Sequence, residues 1–376
     1  SQETIREHPD WAAEVDGKRV ETVNLNTWDL CYTNPEARAY LIQRTIEWAR
    51  ENPDCKTVWI GQNDSPMYCT CPRCKAFYDA HGGKPSAVTV QLVNELADAL
   101  VANGMPDRTA KTLAYGWSRE PPTGMLVRDN AAIMACDARQ VAAWRRIARN
   151  VCVYLYGSSE AYWIPLPTVY PDAEALRAAA RDGAGGLYRQ ISGFGGTIGS
   201  DMVNLRTWLD ARVMWDPAAD IETLVHDFCV GYYGPAAPAV EESLRVRHEQ
   251  FVAEPQAAAQ SPLVPACIAP APLRRINELL EAAYNALPDG DYRAHLGAAW
   301  ISYLWADFWL GYQSAGRYDT PTGTWSVAMA DGEVRNRYGA LARRLMIESG
   351  VTALSDQNRL APQELALDKM GVAWPA

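Results

Sequence analysis

Several chemistries are excluded by what this chain lacks. It has 5 Phe and 5 His in 376 residues. No apolar run approaches the ~18 residues of a spanning helix. Lys and Arg are dispersed without a basic run, and the net charge is −10, so nucleic-acid binding is disfavoured. The opening Ser1-Gln2-Glu3-Thr4 is not a secretory leader. The glycine-rich stretch 192–200 does not end in Lys-Ser/Thr, which argues against a phosphate loop. The histidines His8, His81, His226, His248 and His295 make no Ser-His-Asp arrangement. Nine cysteines scattered over a long chain are not a disulfide scaffold.

Against that background, 14 Trp and 18 Tyr stand out. Each joins a flat apolar face to a polar edge, which suits sugar rings as well as core packing. Hydrophobic residues make up 48% and charged residues 21%, ordinary for a globular protein.

Five short apolar runs read as buried parallel strands: 57–61, 112–115, 131–135, 151–156 and 186–190. Helical patterns lie between them at 37–52, 86–103, 140–149 and 172–181, with Gly104 as a C-terminal cap. This alternation predicts a parallel sheet with right-handed crossovers. Beyond residue 236 the chain reads as helices at 237–252, 272–287, 292–312 and 334–349, joined by Pro-rich links. The expectation is an α/β fold. A TIM-type (β/α) barrel catalytic domain spans 1–235, and a helical C-terminal subdomain spans 236–376. A closed barrel has eight strands, and five are legible. The others are missing from the N-terminal side, hidden in a segment read as helix, or supplied by a second copy.

In such barrels the reacting groups sit at the C-terminal ends of strands. The first run ends in Gln62-Asn63-Asp64, the second in Tyr115-Gly116-Trp117 and the third in Cys136-Asp137. The fourth ends at Tyr156 with Glu160 nearby, and the fifth at Arg189-Gln190, followed after the glycine-rich loop by Asp201. Glycoside hydrolysis needs a protonated acid beside the leaving oxygen, and desolvation at a strand end can keep a carboxyl protonated. Asp64 is the candidate acid, and a turn-capping role is its plain alternative. Asp201 and Glu160 are candidate partners, each with an alternative as a loop carboxylate or helix cap, and Asp137 is similar. Tyr115, Trp117, Tyr156 and Gln190 are expected to line the sugar site. Arg189 would suit a sugar carboxylate.

Cys69-x-Cys71-x-x-Cys74 offers three thiolates to a structural zinc, with His81 as a conceivable fourth ligand. A second CxxC half is lacking, and a local disulfide or buried free thiols are the alternatives. No cofactor is expected for catalysis.

An ordered set of strings also carries a resemblance. It runs through His8-Pro9-Asp10-Trp11, Leu30-Cys31-Tyr32-Thr33-Asn34-Pro35-Glu36, Gln62-Asn63-Asp64 and Cys69-Thr70-Cys71-Pro72-Arg73-Cys74. It continues with Leu113-Ala114-Tyr115, Pro165 to Pro167, Trp215-Asp216-Pro217 and Gly231-Tyr232-Tyr233-Gly234-Pro235-Ala236-Ala237. Over nearly its whole length the chain resembles a bacterial family labelled domain of unknown function 4838. Some members of that family are classed in glycoside hydrolase family 163, endo-β-N-acetylglucosaminidases acting on complex N-glycans. The resemblance implies a layout similar to hexosaminidase-like barrels, whose fourth strand ends in an Asp-Glu pair. There the Glu is the acid, and the Asp orients the acetamido group that attacks the anomeric carbon. By position Asp64 would be the acid and Asn63 would face the acetamido group. This chain departs from that pattern. Asn63 carries no negative charge, and Asp64 is one methylene shorter than Glu.

The resemblance thus implies a hydrolase of β-linked, N-acetylhexosamine-containing glycans, exported to the periplasm or beyond. The first alternative is an exo-hydrolase of uronic or neutral sugars. It would pair Asp64 with Asp201 or Glu160 across about 6.5–9.5 Å if inverting, or about 5–5.5 Å if retaining. The second is a catalytically decayed glycan-binding protein. Oligomeric state is not legible.

Overall fold

A computed structural model describes residues 2–19, 29–156, 165–190, 201–253, 269–319, 324–327, 341–342 and 344–351. The chain forms two compact units. One comprises Ser1–Leu155 with Ala178–Tyr188, and the other Tyr156–Arg177 with Arg189–Ala376.

The first unit opens with helix α1 (Gln2–Glu7) and a small antiparallel pair, β1 (Glu14–Val15) and β2 (Lys18–Arg19). His8 stacks on the buried Trp11 at 4.0 Å, so two residues of the His-Pro-Asp-Trp string pack against each other. Asn34 caps helix α2 (Pro35–Glu51): its side chain accepts from the amides of Glu36 and Ala37, and Pro35 fills the first turn, where no amide is needed.

Next come β3 (Thr57–Trp59), α3 (Pro72–Ala80), α4 (Ser86–Ala102), β4 (Thr109–Ala114), β5 (Ala131–Ala135), the short α5 (Val141–Trp144), β6 (Asn150–Tyr156), α6 (Val169–Arg181) and β7 (Gly186–Gln190). Strands β3 to β7 make one sheet in chain order, curled like half a barrel, and the β3–β4, β4–β5 and β5–β6 pairs are all parallel. Val58, Ala110, Thr112, Ala114, Val151 and Val153 are buried. The alternate positions Trp59, Lys111, Cys152 and Tyr154 are less covered, with Trp59 at 47% exposure and Lys111 Nζ 5.3 Å from its ring centre. Period-two alternation therefore divides the sheet into a core face and an open face. Strand β5, Ala-Ala-Ile-Met-Ala, is buried along its whole length.

All five expected strands are present, and the helices between them follow the expected crossovers. Helix α4 ends in a Schellman motif: Gly104, at φ +76°, donates to Val101 O and Met105 donates to Leu100 O. One helix is shorter than its sequence pattern. Periodicity over 140–149 gives only Val141–Trp144, because the next amides, Arg146 and Ile147, donate three residues back to Ala143 O and Trp144 O instead of continuing the four-back ladder.

A closed eight-stranded barrel is not seen among the described residues. The sheet order begins at β3 and ends at β7. The next described segment supplies helices instead, α7 (Val203–Trp215) and α8 (Ile221–Tyr233). They belong to the second unit with α9 (Ala237–Ala253), α10 (Pro270–Ala286), α11 (Asp291–Ala315) and the antiparallel pair β8 (Gly316–Asp319) and β9 (Thr324–Val327). Helix α9 packs on α8 and α10, and α10 on α11, where Trp300, Ile301, Tyr303 and Leu304 are fully buried. The expected C-terminal helices are therefore present. Of the pattern at 334–349, residues 341–342 and 344–348 are helical, Ser349 is in a turn, and 334–340 and 343 lie outside the described residues.

Candidate functional site

The end of β3 leads into Gly61-Gln62-Asn63-Asp64. Gly61 brings the chain close to β4. At φ +158° a Cβ here would meet Thr112 Oγ1 at 2.6 Å, and that side chain is buried and β-branched. The polar residues that follow are tied on two sides. Gln62 Nε2 donates to Tyr115 O at 3.1 Å, and Ser118 Oγ donates to Gln62 Oε1. The Asn63 amide donates to Asp29 Oδ1 at 2.9 Å. Tyr32 OH lies 2.8 Å from Asp29 Oδ1 and 2.9 Å from Gly61 O, one donor for two acceptors.

Asp29 is a site residue that sequence reading missed. It is buried at 4% exposure, and among the described residues its Oδ2 has no hydrogen-bond partner. Burial pushes its carboxyl up to about 6, against the lowering bonds from the Asn63 amide and the Tyr32 hydroxyl. Asp64, by contrast, is exposed. Four residues past Asp64, the ring of Tyr68 lies 5.6 Å from that of Trp117, tilted by 35°. Trp117 Nε1 is buried without a partner among the described residues.

The remaining sequence candidates are placed differently. Tyr115 is half-buried and ends the run after β4. Asp137 caps the turn that follows it, accepting from the Arg139 amide and bidentately from the Arg139 guanidinium, which holds its carboxyl below the usual range. Tyr156 is the last residue of β6, and Gln190, half-buried, is the last of β7. Glu160 lies outside the described residues.

Arg189 and Asp201 sit in a buried ionic network of the second unit. Arg189 binds Asp172 at 2.7 Å and Asp210 at 2.9 Å. Arg206 binds Asp172 at 3.1 Å and Asp201 at 2.6 Å. Arg247 binds Asp201 at 2.9 Å, and Asp201 also accepts the Leu166 amide at 2.8 Å. Three guanidiniums thus face three carboxylates. Burial pushes the Asp210 carboxyl up, and Arg189 beside it pulls the other way. In this structure Arg189 and Asp201 are bound to protein charges rather than displayed to a ligand.

The cysteine motif gains a fourth member. Cys31 Sγ lies 3.8 Å from Cys71 Sγ and 3.7 Å from Cys74 Sγ, and the sulfurs of Cys31, Cys69, Cys71 and Cys74 all lie within 4.8 Å of one another. All four residues are buried and none is in a disulfide. Such a cluster can bind a metal such as zinc. Hydrogen bonds from Cys69 and Cys74 lower Cys31, while the bond to Cys31 raises Cys69. His81, the conceivable fourth ligand, is not in the group: its Nδ1 lies 2.9 Å from Thr123 O. Spacing could not have found Cys31, because its sulfur is brought in by tertiary folding from a distant segment.

Residues 1–244 match the model of the family DUF4838, described as a domain of unknown function. No curated protein matches the chain.

Proposed function

The chain belongs to the DUF4838 family, and from that premise we propose that it is a glycoside hydrolase acting on β-linked glycans that contain N-acetylhexosamine. This extends the expectation from glycoside hydrolase family 163 to this chain. The observation that carries it is the anchored segment after β3. Gln62 and Asn63 are fixed from two sides, Asp64 follows them exposed, and Tyr68, four residues on, packs its ring against Trp117. Aromatic faces suit the apolar face of a pyranose. A fixed backbone holds reacting groups without reorganisation during the reaction.

In this reading Asp64 protonates the leaving oxygen and Asn63 orients the acetamido group. Asp29 is a positioning residue: its carboxylate grips the Asn63 amide and acts through it. The four-thiolate cluster is structural, since a closed set of ligands leaves no open position for a substrate. Arg189 is matched by Asp172 and Asp210, so support for a uronic sugar is weaker than for an N-acetylated one.

A glycan-binding protein is the second reading, favoured by the exposure of Asp64, since an acid that must hold its proton gains from burial. The test is a hydrolysis screen of the full chain beside Asp64→Asn and Asp29→Ala. The substrates are aryl β-N-acetylglucosaminide, aryl hexosides and uronides, and an intact complex N-glycan, with released sugars read by mass spectrometry. The hydrolase reading expects one substrate class to be cleaved. Asp64→Asn should cost about 10²–10⁴-fold, the range of general acid catalysis, and Asp29→Ala should be slowed less. Glycan binding without cleavage on any substrate would favour the second reading.

A further inference from the structure

We propose that Cys31, Cys69, Cys71 and Cys74 hold one zinc(II) ion in a closed tetrahedral thiolate site. The proposal does not depend on the glycosidase reading. With zinc–sulfur bonds of about 2.3 Å, a regular tetrahedron has sulfur–sulfur edges of about 3.8 Å. The two Cys31 distances are 3.8 and 3.7 Å, and no pair of the four exceeds 4.8 Å. A disulfide would require about 2.0 Å. A two-iron core would hold its thiolates on opposite metals much farther apart. The spacing fits a single ion.

The surroundings fit a charged centre. One divalent ion and four thiolates leave two negative charges, and donors converge on the sulfurs. The Glu14 amide donates to Cys69 Sγ at 3.2 Å. Thr33 Oγ1 lies 3.1 Å from Cys74 Sγ and 3.5 Å from Cys31 Sγ. The Arg19 guanidinium lies beside Cys31. Polar donors around coordinated sulfur set its orientation and basicity.

The ligands come from separate parts of the first unit. Cys31 follows the bridge between Ala12 and Leu30, Cys69 and Cys71 lie in the loop after Asp64, and Cys74 is in the first turn of α3. Metal binding therefore ties the start of the chain to the loop after the candidate site. Tyr32, next to Cys31, is the residue that bonds to Asp29 and Gly61. Where ligands are assembled only by folding, the binding free energy is folding free energy.

The test uses the full chain, purified from zinc-supplemented medium. Mass analysis should find one zinc per chain, released as an organomercurial titrates the four cluster thiols. Cobalt(II) put in its place should show the visible bands of a tetrahedral thiolate site. Cys31→Ser should lower the cobalt–sulfur charge-transfer intensity by the share of one ligand in four and weaken zinc retention at least tenfold. Cys31→His, which keeps a zinc donor, should retain the metal even if the serine variant fails to fold. His81→Ala should change nothing. Two disulfides in the intact mass, four reactive thiols with no metal, or one iron per chain would each overturn the assignment. So would zinc loss in His81→Ala with full retention in Cys31→Ser.

Discussion

Removal of the Arg247 guanidinium is a direct test of the buried network in the second unit. Arg247→Met keeps most of the side-chain volume and deletes the charge. Arg247 is 1% exposed on its side chain; it donates to Tyr303 OH at 2.6 Å and to the Leu166 carbonyl, and pairs with Asp201 at 2.9 Å. Without it, three carboxylates face only Arg189 and Arg206, so one buried negative charge is uncompensated. Breaking a buried pair in this way costs about 3–5 kcal/mol. With a slope of about 3 kcal/mol per molar urea, the midpoint should fall by roughly 1–2 M. Asp201→Asn should also destabilise, leaving an excess positive charge. In the double variant two guanidiniums face two carboxylates, so its cost should fall short of the sum by about 1–3 kcal/mol. Urea unfolding followed by tryptophan fluorescence gives these values. Hydrogen exchange at the Leu166 amide, which donates to Asp201, localises the effect. Arg245, exposed on the same helix, is the control, and Arg245→Ala should leave the midpoint in place. Additive single costs, or a loss under about 1 kcal/mol for Arg247→Met, would refute the reasoning.

Other outcomes follow from the first unit and from the isolated thiols. Gly61→Ala should cost about 1–3 kcal/mol through the clash with Thr112 Oγ1, and adding Thr112→Ala should recover part of it; equal stability of the two variants in thermal unfolding would remove the close-approach argument. Cys136 and Cys229 are pushed up to about 12 by burial, so at pH 8 the folded chain should resist iodoacetamide at both, while half-exposed Cys55 is alkylated first. Their reaction should speed up as the pH is raised toward 12, because only the thiolate attacks; peptide mapping that finds either modified before Cys55 at pH 8 would contradict this.

The sheet was legible in the sequence where local pattern and burial agree. Ala131–Ala135 is buried at every position, and its short continuous apolar run, at strand length, reads as a buried strand. Gly104 signals the end of α4 because a left-handed residue there is a backbone requirement. The pattern at 140–149 misleads, because periodicity does not register that the ladder tightens to three-back bonds at Arg146 and Ile147. Charges are the least legible. Arg189 at a strand end has the same sequence signature whether it meets a ligand or, as here, two aspartates from other helices. Asp29 and Cys31 look unremarkable alone, since burial and partners set their chemistry and both come from folding. The missing barrel strands do not come from 203–233, which forms α7 and α8, whose buried faces repeat at helical spacing.

The family match stops at residue 244, just short of Arg247. Yet Arg247, from the far end of α9, reaches back to Asp201 and Leu166, and onward to Tyr303 in α11. The stretch recognisable by descent is therefore shorter than the stretch needed to balance the charges of this network. A module cut or recombined at that boundary would inherit Asp201 without one of its two counter-ions. Any new sequence joined there would have to supply an arginine at the same depth, or else shed the aspartate.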